Sequence, residues 1–191
     1  MSVKRQAKAR LINNTGRDIV VASIVHKYSN QYRNQKTFSS IRQGNSTEEH
    51  LLAEYNTGAF ATGRDWWLIA WQYDSNALFY TSANTLGDIL DFVAPEIKSN
   101  ELVNASRQPL AYQPLSCTLP SLLAKSLLKS NQTPGFKPHS LKAEDHNQFI
   151  DIVLDEAGQA CIRSVSATSE IKYTSKKAPM LVETCGRLSL A

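Results

Sequence analysis

Histidines are the side chains of this sequence with the widest range of acid–base and metal chemistry, but their spacing fits no metal motif. The four are His26, His50, His139 and His146. No two of them stand four residues apart, as two zinc ligands on one helix would, and no HExxH motif occurs. His26 ends an apolar run, where a histidine is more often packed or capped than functional. We therefore expect no metal site and no cofactor.

Nucleophile motifs and phosphate-binding loops are also missing from the sequence. Neither a G-x-S-x-G elbow nor a Cys–His signature is present. Gly58 and Gly63, in the segment NTGAFATGRD, do not have the spacing of a P-loop or of a dinucleotide-binding fingerprint. The sequence therefore predicts a protein that is not an enzyme.

Length and charge narrow the class of protein further. A chain of 191 residues with 42% hydrophobic and 20% charged residues is typical of one globular domain, 1–191. Residues 1–43 carry nine Lys/Arg and one Asp, whereas residues 44–191 carry twelve Lys/Arg and sixteen Asp/Glu. A basic region of this kind attracts anionic lipid, nucleic acid or an acidic protein, or is a solvated face. Nucleic acid is the weakest of these, since no recognised binding motif supports it.

Three features of the sequence bear on where the protein resides. Residues 1–9 are basic and lack the apolar stretch of a secretion signal, so we expect a flexible leader. No run reaches the roughly 18 apolar residues that cross a bilayer. Cys117, Cys161 and Cys185 cannot all pair within one chain, which favours reduced thiols. We expect a cytoplasmic protein, and unconventional secretion stays open.

Short strands and two helices are the elements that would position these residues. Strands are predicted to start at residue 10 and to span 19–26, 36–42, 51–55, 65–73, 77–82, 149–154, 160–166 and 170–174. Some of these runs alternate apolar and polar residues, and others, such as 19–26, are apolar on both parities. Apolar residues that recur at three and four predict helices over 84–97 and 119–130. The pattern is that of a mainly β protein, an antiparallel β-sandwich with a two-helix insertion at 84–140.

The strongest strand signal is the run DWWLIAWQY at 65–73, which carries all three tryptophans. Both parities of this run are apolar, so it is predicted to be a central strand that is buried on both faces. The adjacent Trp66 and Trp67 must point to opposite faces of the strand. Either one of them faces a partner, or both belong to a core under the helices.

Candidate recognition residues lie in two loops near this strand. The segment YSNQYR at 28–33 is polar and aromatic without a helical period, which predicts an exposed loop suited to recognition, or an ordinary surface loop. The loop over 58–64 is rich in turn residues. The predicted recognition surface consists of Tyr28, Tyr32, Arg33, Gly58, Gly63, Arg64 and Trp66.

The second predicted helix is another candidate for binding. In SLLAKSLLKS, Lys125 and Lys129 lie one turn apart and opposite the leucines. This is the form of a helix that lies on a membrane surface, and also of a helix that packs its leucines on a sheet. Two lysines give little attraction to anionic lipid, which favours packing.

Two segments with an Asn-Thr-Gly turn carry a family resemblance. INNTGRDIVVASIVHKYS (12–29) and EYNTGAFATGRDWWLIAW (54–71), followed by PHSLKAED (138–145), resemble proteins with the "up-regulated in Daf-2" domain, many of them fungal. That family is similar in turn to the aegerolysins, β-sandwich proteins with a related Asn-x-(Ser/Thr)-Gly turn. The resemblance implies a sandwich fold, pairing with a related subunit, no enzyme and, more distantly, recognition of membrane lipid. We expect a non-enzymatic recognition protein that forms homo- or hetero-oligomers, with lipid binding as the alternative.

Overall fold

Alternating apolar residues produce strands over most of the chain. The computed structural model describes residues 1–59, 61, 63–73, 77–81, 118–129, 133 and 135–177. Its strands are β1 (Val3–Asn14), β2 (Ile19–Tyr28), β3 (Tyr32–Ile41), β4 (Leu51–Thr57), β5 (Asp65–Gln72), β6 (Ala77–Thr81), β7 (Lys137–Pro138), β8 (Phe149–Asp155), β9 (Gln159–Arg163) and β10 (Thr168–Lys177). A helix, α1 (Leu119–Lys129), and a single 3-10 turn, Ala143–Asp145, complete the described elements.

The strands form one mixed sheet that nearly closes on itself. Hydrogen bonds join them in the order β3-β2-β5-β6-β10-β9-β8-β1-β4, and the short β7 pairs with β5. Because β10 is long enough to pair with both β6 and β9, it connects the two halves of the sheet. β1 and β8 run parallel, so the expectation of purely antiparallel pairing is wrong there. The mainly β fold is confirmed, and its layout is a barrel-like sheet instead of two separate antiparallel layers.

The ends of this path, β3 and β4, face each other across a seam that side chains close. Asn34 Nδ2 donates to the Leu52 backbone oxygen at 2.8 Å. The Tyr32 hydroxyl donates to Asn56 Oδ1 at 3.3 Å. These two described strands form no backbone ladder with each other. Hydrogen bonds from Asn and Tyr side chains therefore connect β3 to β4, in place of a further row of backbone hydrogen bonds.

Strand β5 is central because both of its faces are buried. Its inner face contributes Trp67, Ile69 and Trp71 to the core inside the barrel. Its outer face contributes Trp66, Leu68 and Ala70 to a second cluster that includes the leucines of α1. The predicted central strand is confirmed. Both neighbouring tryptophans pack within the protein, Trp67 fully buried and Trp66 half-buried.

The helix predicted at 119–130 is confirmed, and its leucines face the sheet. Leu122, Leu123 and Leu127 are buried over the outer faces of β2, β3 and β5. At its C-terminus, Arg33 Nη1 donates to the Lys129 backbone oxygen at 3.2 Å, which satisfies a carbonyl that has no partner within the helix. No helix among the described residues is long and apolar enough to cross a membrane. The helix predicted at 84–97 lies outside the described residues.

Two segments expected to be flexible or exposed are parts of strands. Residues 3–9 pair with β4, so the expected flexible leader at 1–9 is wrong. The physical reason is that the small residues Ala7 and Ala9, which alternate with basic residues, are fully buried in the interior. Residues 28–33 are the tip of the β2–β3 hairpin, in which Tyr28 pairs with Tyr32. The predicted loop is therefore a tight turn whose residues 29–31 are exposed, whereas Tyr28 itself is 3% exposed.

We expect Gly63→Ala to destabilise the protein, because a Cβ at this position would overlap the ring of Tyr28. The expected loss is about 1–3 kcal/mol in the free energy of unfolding, measured by urea denaturation. As a control, the same substitution in a Tyr28→Ala background removes the ring and should cost much less. An equal cost in both backgrounds would contradict the steric explanation.

Candidate functional site

Tyr28 and Tyr32, predicted for recognition, make contacts within the protein. Their rings stack with centroids 6.0 Å apart. The Tyr28 hydroxyl donates to the Asn56 backbone oxygen at 3.2 Å, and burial raises the pKa of this hydroxyl. The Lys4 Nζ lies 4.8 Å from the centroid of the Tyr32 ring. Both tyrosines therefore connect the β2–β3 hairpin to Asn56 of β4, at one end of the seam.

Gly58 and Arg64 bound the loop that precedes β5. Gly58 has φ +115°, a conformation that favours glycine, and it packs against the backbone of Met1. Arg64 is exposed, and its backbone oxygen accepts a hydrogen bond from the Ser29 N–H at 3.1 Å. The loop is thus attached both to the start of the chain and to the β2–β3 turn.

Of the three remaining predicted residues, two lie apart from this end of the seam. Gly63 touches the ring of Tyr28, so the structure does bring these two together. Arg33 instead reaches the C-terminus of α1, and Trp66 packs into the cluster outside the barrel. The seven residues do not form one exposed surface.

The buried carboxylate of Asp65 is the centre of a polar cluster inside the barrel. Its Oδ1 lies 2.7 Å from His26 Nε2, and its Oδ2 accepts a hydrogen bond from the Leu141 N–H at 2.9 Å. The His26 ring lies against Trp67 with centroids 4.4 Å apart, and Trp67 Nε1 donates to the His139 backbone oxygen at 3.0 Å. One carboxylate thus connects β2 and β5 to the chain that follows β7.

A second carboxylate, Asp145, secures the same part of the chain. The Lys142 N–H donates to its Oδ2 at 2.7 Å. Ser166 donates from its N–H to Oδ1 at 2.9 Å and from its hydroxyl to Oδ2 at 2.6 Å. Burial acts to raise the pKa of Asp145, but the hydrogen bonds from Lys142 and Ser166 outweigh it and hold this pKa below its usual value. Asp145 is therefore a charged acceptor, and all these partners are protein groups.

His139, like His26, has one buried ring nitrogen without a hydrogen-bond partner among the described residues. It is 2% exposed, and its Nδ1 lies 2.8 Å from Ser169 Oγ. Its Nε2 is buried and has no hydrogen-bond partner within the described residues. Burial lowers the pKa of His139, and the carboxylates of Asp145 and Asp65 offset this only in part. The ring is therefore neutral at neutral pH. We call His26, Asp65, His139 and Asp145 the Asp65 cluster.

The Asp65 cluster has no access to a substrate, because its side chains are buried. Two clefts on the described surface, of about 690 and 600 Å³, lie along β3 and residues 42–54. None of the residues that line them belongs to the cluster. Over the described ranges, no group of three or more His, Cys, Asp or Glu side chains could hold a metal ion. The Asp65 cluster is better suited to connecting distant segments of the chain by hydrogen bonds than to catalysing a reaction.

Outside the barrel, Phe149 projects from the start of β8 and is 45% exposed. The strand register places Lys8 beside it on β1 and Leu52, which is 44% exposed, next to Lys8 on β4. The Arg10 Cζ lies 4.4 Å from the Phe149 ring centroid, and the Lys8 Nζ lies 5.9 Å from it. The His50 ring meets Phe149 edge-on at 6.2 Å. We call these five residues the Phe149 patch.

Asp151 holds Arg10 in place within this patch. Arg10 Nε donates to Asp151 Oδ1 at 2.6 Å and Nη2 to Oδ2 at 3.5 Å, and this hydrogen bonding raises the pKa of Arg10. The patch was not predicted from the sequence, although the pattern of β8 indicates it. Its alternate residues Ile150, Ile152 and Leu154 are fully buried. Phe149 must then point outward, because successive side chains of a strand face opposite sides.

We expect Asp65→Ala to lower the free energy of unfolding by about 3–5 kcal/mol, because it leaves two buried hydrogen-bonding groups without their charged partner. Asp65→Asn should cost less, since the amide keeps one acceptor for the Leu141 N–H. Chemical denaturation measures both. Glu144→Ala, at an exposed acid of the nearby 3-10 turn, should stay within about 0.5 kcal/mol of the wild type. If Asp65→Ala lowers the free energy of unfolding no more than this control does, the structural role of Asp65 is contradicted.

The comparison with known proteins identifies the family. No curated protein matches the chain. Residues 3–173 match the family described as up-regulated in long-lived daf-2. The match extends from the start of β1 into β10 and includes both Asn-Thr-Gly turns, so it confirms the resemblance to this family and not the more distant one to the aegerolysins. The chain therefore belongs to the family of proteins up-regulated in long-lived daf-2.

Proposed function

We propose that this chain is a non-enzymatic recognition protein that acts through protein association, with the Phe149 patch as its contact surface. One observation carries the proposal, a half-exposed aromatic ring that stands among cations beside a second exposed apolar side chain. Aromatic residues and arginine contribute most often to the binding energy of protein interfaces. The family description names no biochemical activity, so the argument rests on this geometry.

The position of the patch on the sheet supports the proposal. In the described part of the chain, α1 covers the outer faces of β2, β3 and β5. The patch lies on β1, β4 and β8, which this helix does not cover. Within the patch, the fork between Arg10 and Asp151 restrains the guanidinium before any partner arrives. A side chain that is already ordered loses little conformational entropy on binding.

The partner we propose is a second copy of the chain or a related subunit. Phe149 and Leu52 call for an apolar group on that partner, and the cation of Lys8 calls for a carboxylate. The surface predicted from the sequence contributes less, because Tyr28 is buried and Trp66 packs into a core cluster. The buried histidines of the Asp65 cluster support a role without catalysis.

Residence in the cytoplasm remains part of this proposal. Cys161 is a free, half-buried thiol on β9, in keeping with the reduced cysteines expected from the sequence. Cys117 and Cys185 lie outside the described residues. Disulfides are rare in the cytosol, which suits a free thiol of this kind.

Aegerolysin-like lipid binding is the second candidate, and the same ring with its flanking cations favours it. Each Lys or Arg near an anionic membrane surface is worth about 1 kcal/mol. Arg10 is already paired with Asp151, however, and the neighbouring Lys4 with Glu54. The leucines of α1 are buried against the sheet and add no membrane contact. Protein association is therefore the form that the charges favour.

Replacing Phe149 should weaken association, because the ring is the largest exposed apolar group of the patch. We expect Phe149→Ser to raise the dissociation constant about thirtyfold, the effect of losing about 2 kcal/mol at an interface hot spot. Light scattering over a range of concentrations, for the chain alone and mixed with a related family member, measures this.

Val165→Ser is the matched control, since Val165 is 63% exposed between β9 and β10 and lies outside the patch. It should associate as the wild type does. Equal weakening by both variants would show that the contact surface is not the Phe149 patch. A chain that stays monomeric at every concentration, alone and in the mixture, would refute association.

Liposome cosedimentation separates the two candidate functions. The vesicles contain phosphatidylcholine alone, with phosphatidylserine, or with sphingomyelin and a sterol. We expect no binding that depends on Phe149, because Arg10, one of the two Lys/Arg cations of the patch, is already paired with Asp151. Sedimentation of the wild type and of Val165→Ser, lost only in Phe149→Ser, would instead make lipid the ligand.

A further inference from the structure

Residues 139–148, which we call the bridging segment, run from the Asp65 cluster to the Phe149 patch. At its start, the His139 N–H donates to the Asp65 backbone oxygen at 3.1 Å and the Leu141 N–H donates to the Asp65 carboxylate at 2.9 Å. Its middle is held by Asp145, whose carboxylate accepts three hydrogen bonds. Both buried carboxylates thus bind this one segment.

The end of the bridging segment is bound to β1. The Asn147 N–H donates to the Gln6 backbone oxygen at 2.8 Å, and the Lys8 N–H donates to the Gln148 backbone oxygen at 2.9 Å. Phe149 is the next residue, and Lys8 belongs to the same patch. Release of the segment would therefore remove the backbone hydrogen bond that holds the chain to β1 directly before Phe149.

We propose that His139 is a proton-controlled lock, in which the neutral ring keeps the bridging segment closed and its protonation in mild acid releases the segment and displaces Phe149. The charged groups that act on the ring are the carboxylates of Asp65 from β5 and Asp145 from the 3-10 turn, and β10 contributes the Ser169 hydroxyl. Two further titratable groups contact the same surroundings: His26 from β2 shares the Asp65 carboxylate, and the Tyr55 hydroxyl from β4 donates to the Lys142 backbone oxygen.

The neutral ring fits this site and the charged ring does not. Nε2 is buried without a hydrogen-bond partner in the described residues, so a proton added there would have no acceptor. The first cause acting on the ring is burial, which lowers the pKa of His139; Asp145 and Asp65 act in the opposite direction but do not cancel it. Closure therefore favours the uncharged form.

The sign of the pH dependence follows from this difference. In the open segment the ring is hydrated and has the ordinary histidine pKa of about 6.5. The open state then binds more protons than the closed one, so the closed state is fully stable above that pH and loses stability as the pH falls through it. One proton changes the opening equilibrium by at most about tenfold per pH unit. Asp145 acts in the same direction, but near the ordinary Asp pKa of about 4.

Hydrogen exchange of the full chain at pH 7.5 and 5.5 tests the lock, after correction for the intrinsic exchange rate. We expect the opening equilibrium of residues 139–148 to rise about tenfold at the lower pH, while the amides of β5 stay protected. His139→Asn keeps a group that can bond to Ser169 and cannot take the proton, so its opening should not change with pH. His146→Asn removes the other histidine of the segment and should respond as the wild type does.

An equal pH response in the wild type and in His139→Asn would overturn the proposal, as would its loss in His146→Asn. Should His139→Asn loosen the segment at both pH values, an NMR titration of the His139 ring in the wild type decides. A ring pKa at or above about 6.5 would overturn the lock.

The effect on Phe149 rests on the association proposed above, so it has its own measurement. The dissociation constant of the wild type should rise between pH 7.5 and 5.5, and that of His139→Asn should not. If hydrogen exchange does not respond to pH, only the lock is refuted. If association is unaffected by Phe149→Ser, only the proposed function is refuted.

Discussion

A buried charge with two protein partners, Asp65, is the constraint on which the rest of the barrel depends. Removing a carboxylate from water costs several kcal/mol, and the cost is offset only where hydrogen-bond partners are in place. Here the partners are His26 and the Leu141 N–H, which are 39 and 76 residues away in sequence. The charge is therefore stabilised only when β2, β5 and the chain after β7 are assembled together.

The interior of the barrel holds the buried titratable groups, and its exterior carries the accessible Phe149 patch. Inside, the Asp65 cluster has imidazoles and carboxylates but no opening to solvent. Outside, the Phe149 patch is accessible, and its groups are an aromatic ring, a leucine and cations that suit contact more than bond-making. Residues 139–148 join the two. In the lock proposed above, these ten residues would carry a change in the charge of the interior to the surface.

Much of the fold is readable in the sequence because the signals are local. β2 and β5 were placed by runs that are apolar on both parities, β8 by alternating apolar residues, and α1 by its leucine spacing. The family was recognised from its Asn-Thr-Gly turns. In the first turn, the Asn13 side chain forms a hydrogen bond two residues along the chain, since its Oδ1 accepts from the Thr15 N–H at 3.1 Å. A turn of this kind is determined by nearby residues, so it can be identified without knowing the rest of the structure.

By itself the sequence determined most of β2, β5, β8 and α1, the alternation of side chains along a strand, and the family to which the chain belongs. Only the tertiary structure decided that β1 runs parallel to β8, that β3 faces β4 across a seam, and that residues 3–9 are a strand. It also decided that Tyr28 is internal and Phe149 external. The physical reason is that alternation records the direction of a side chain, whereas its burial depends on partners brought in from distant parts of the chain.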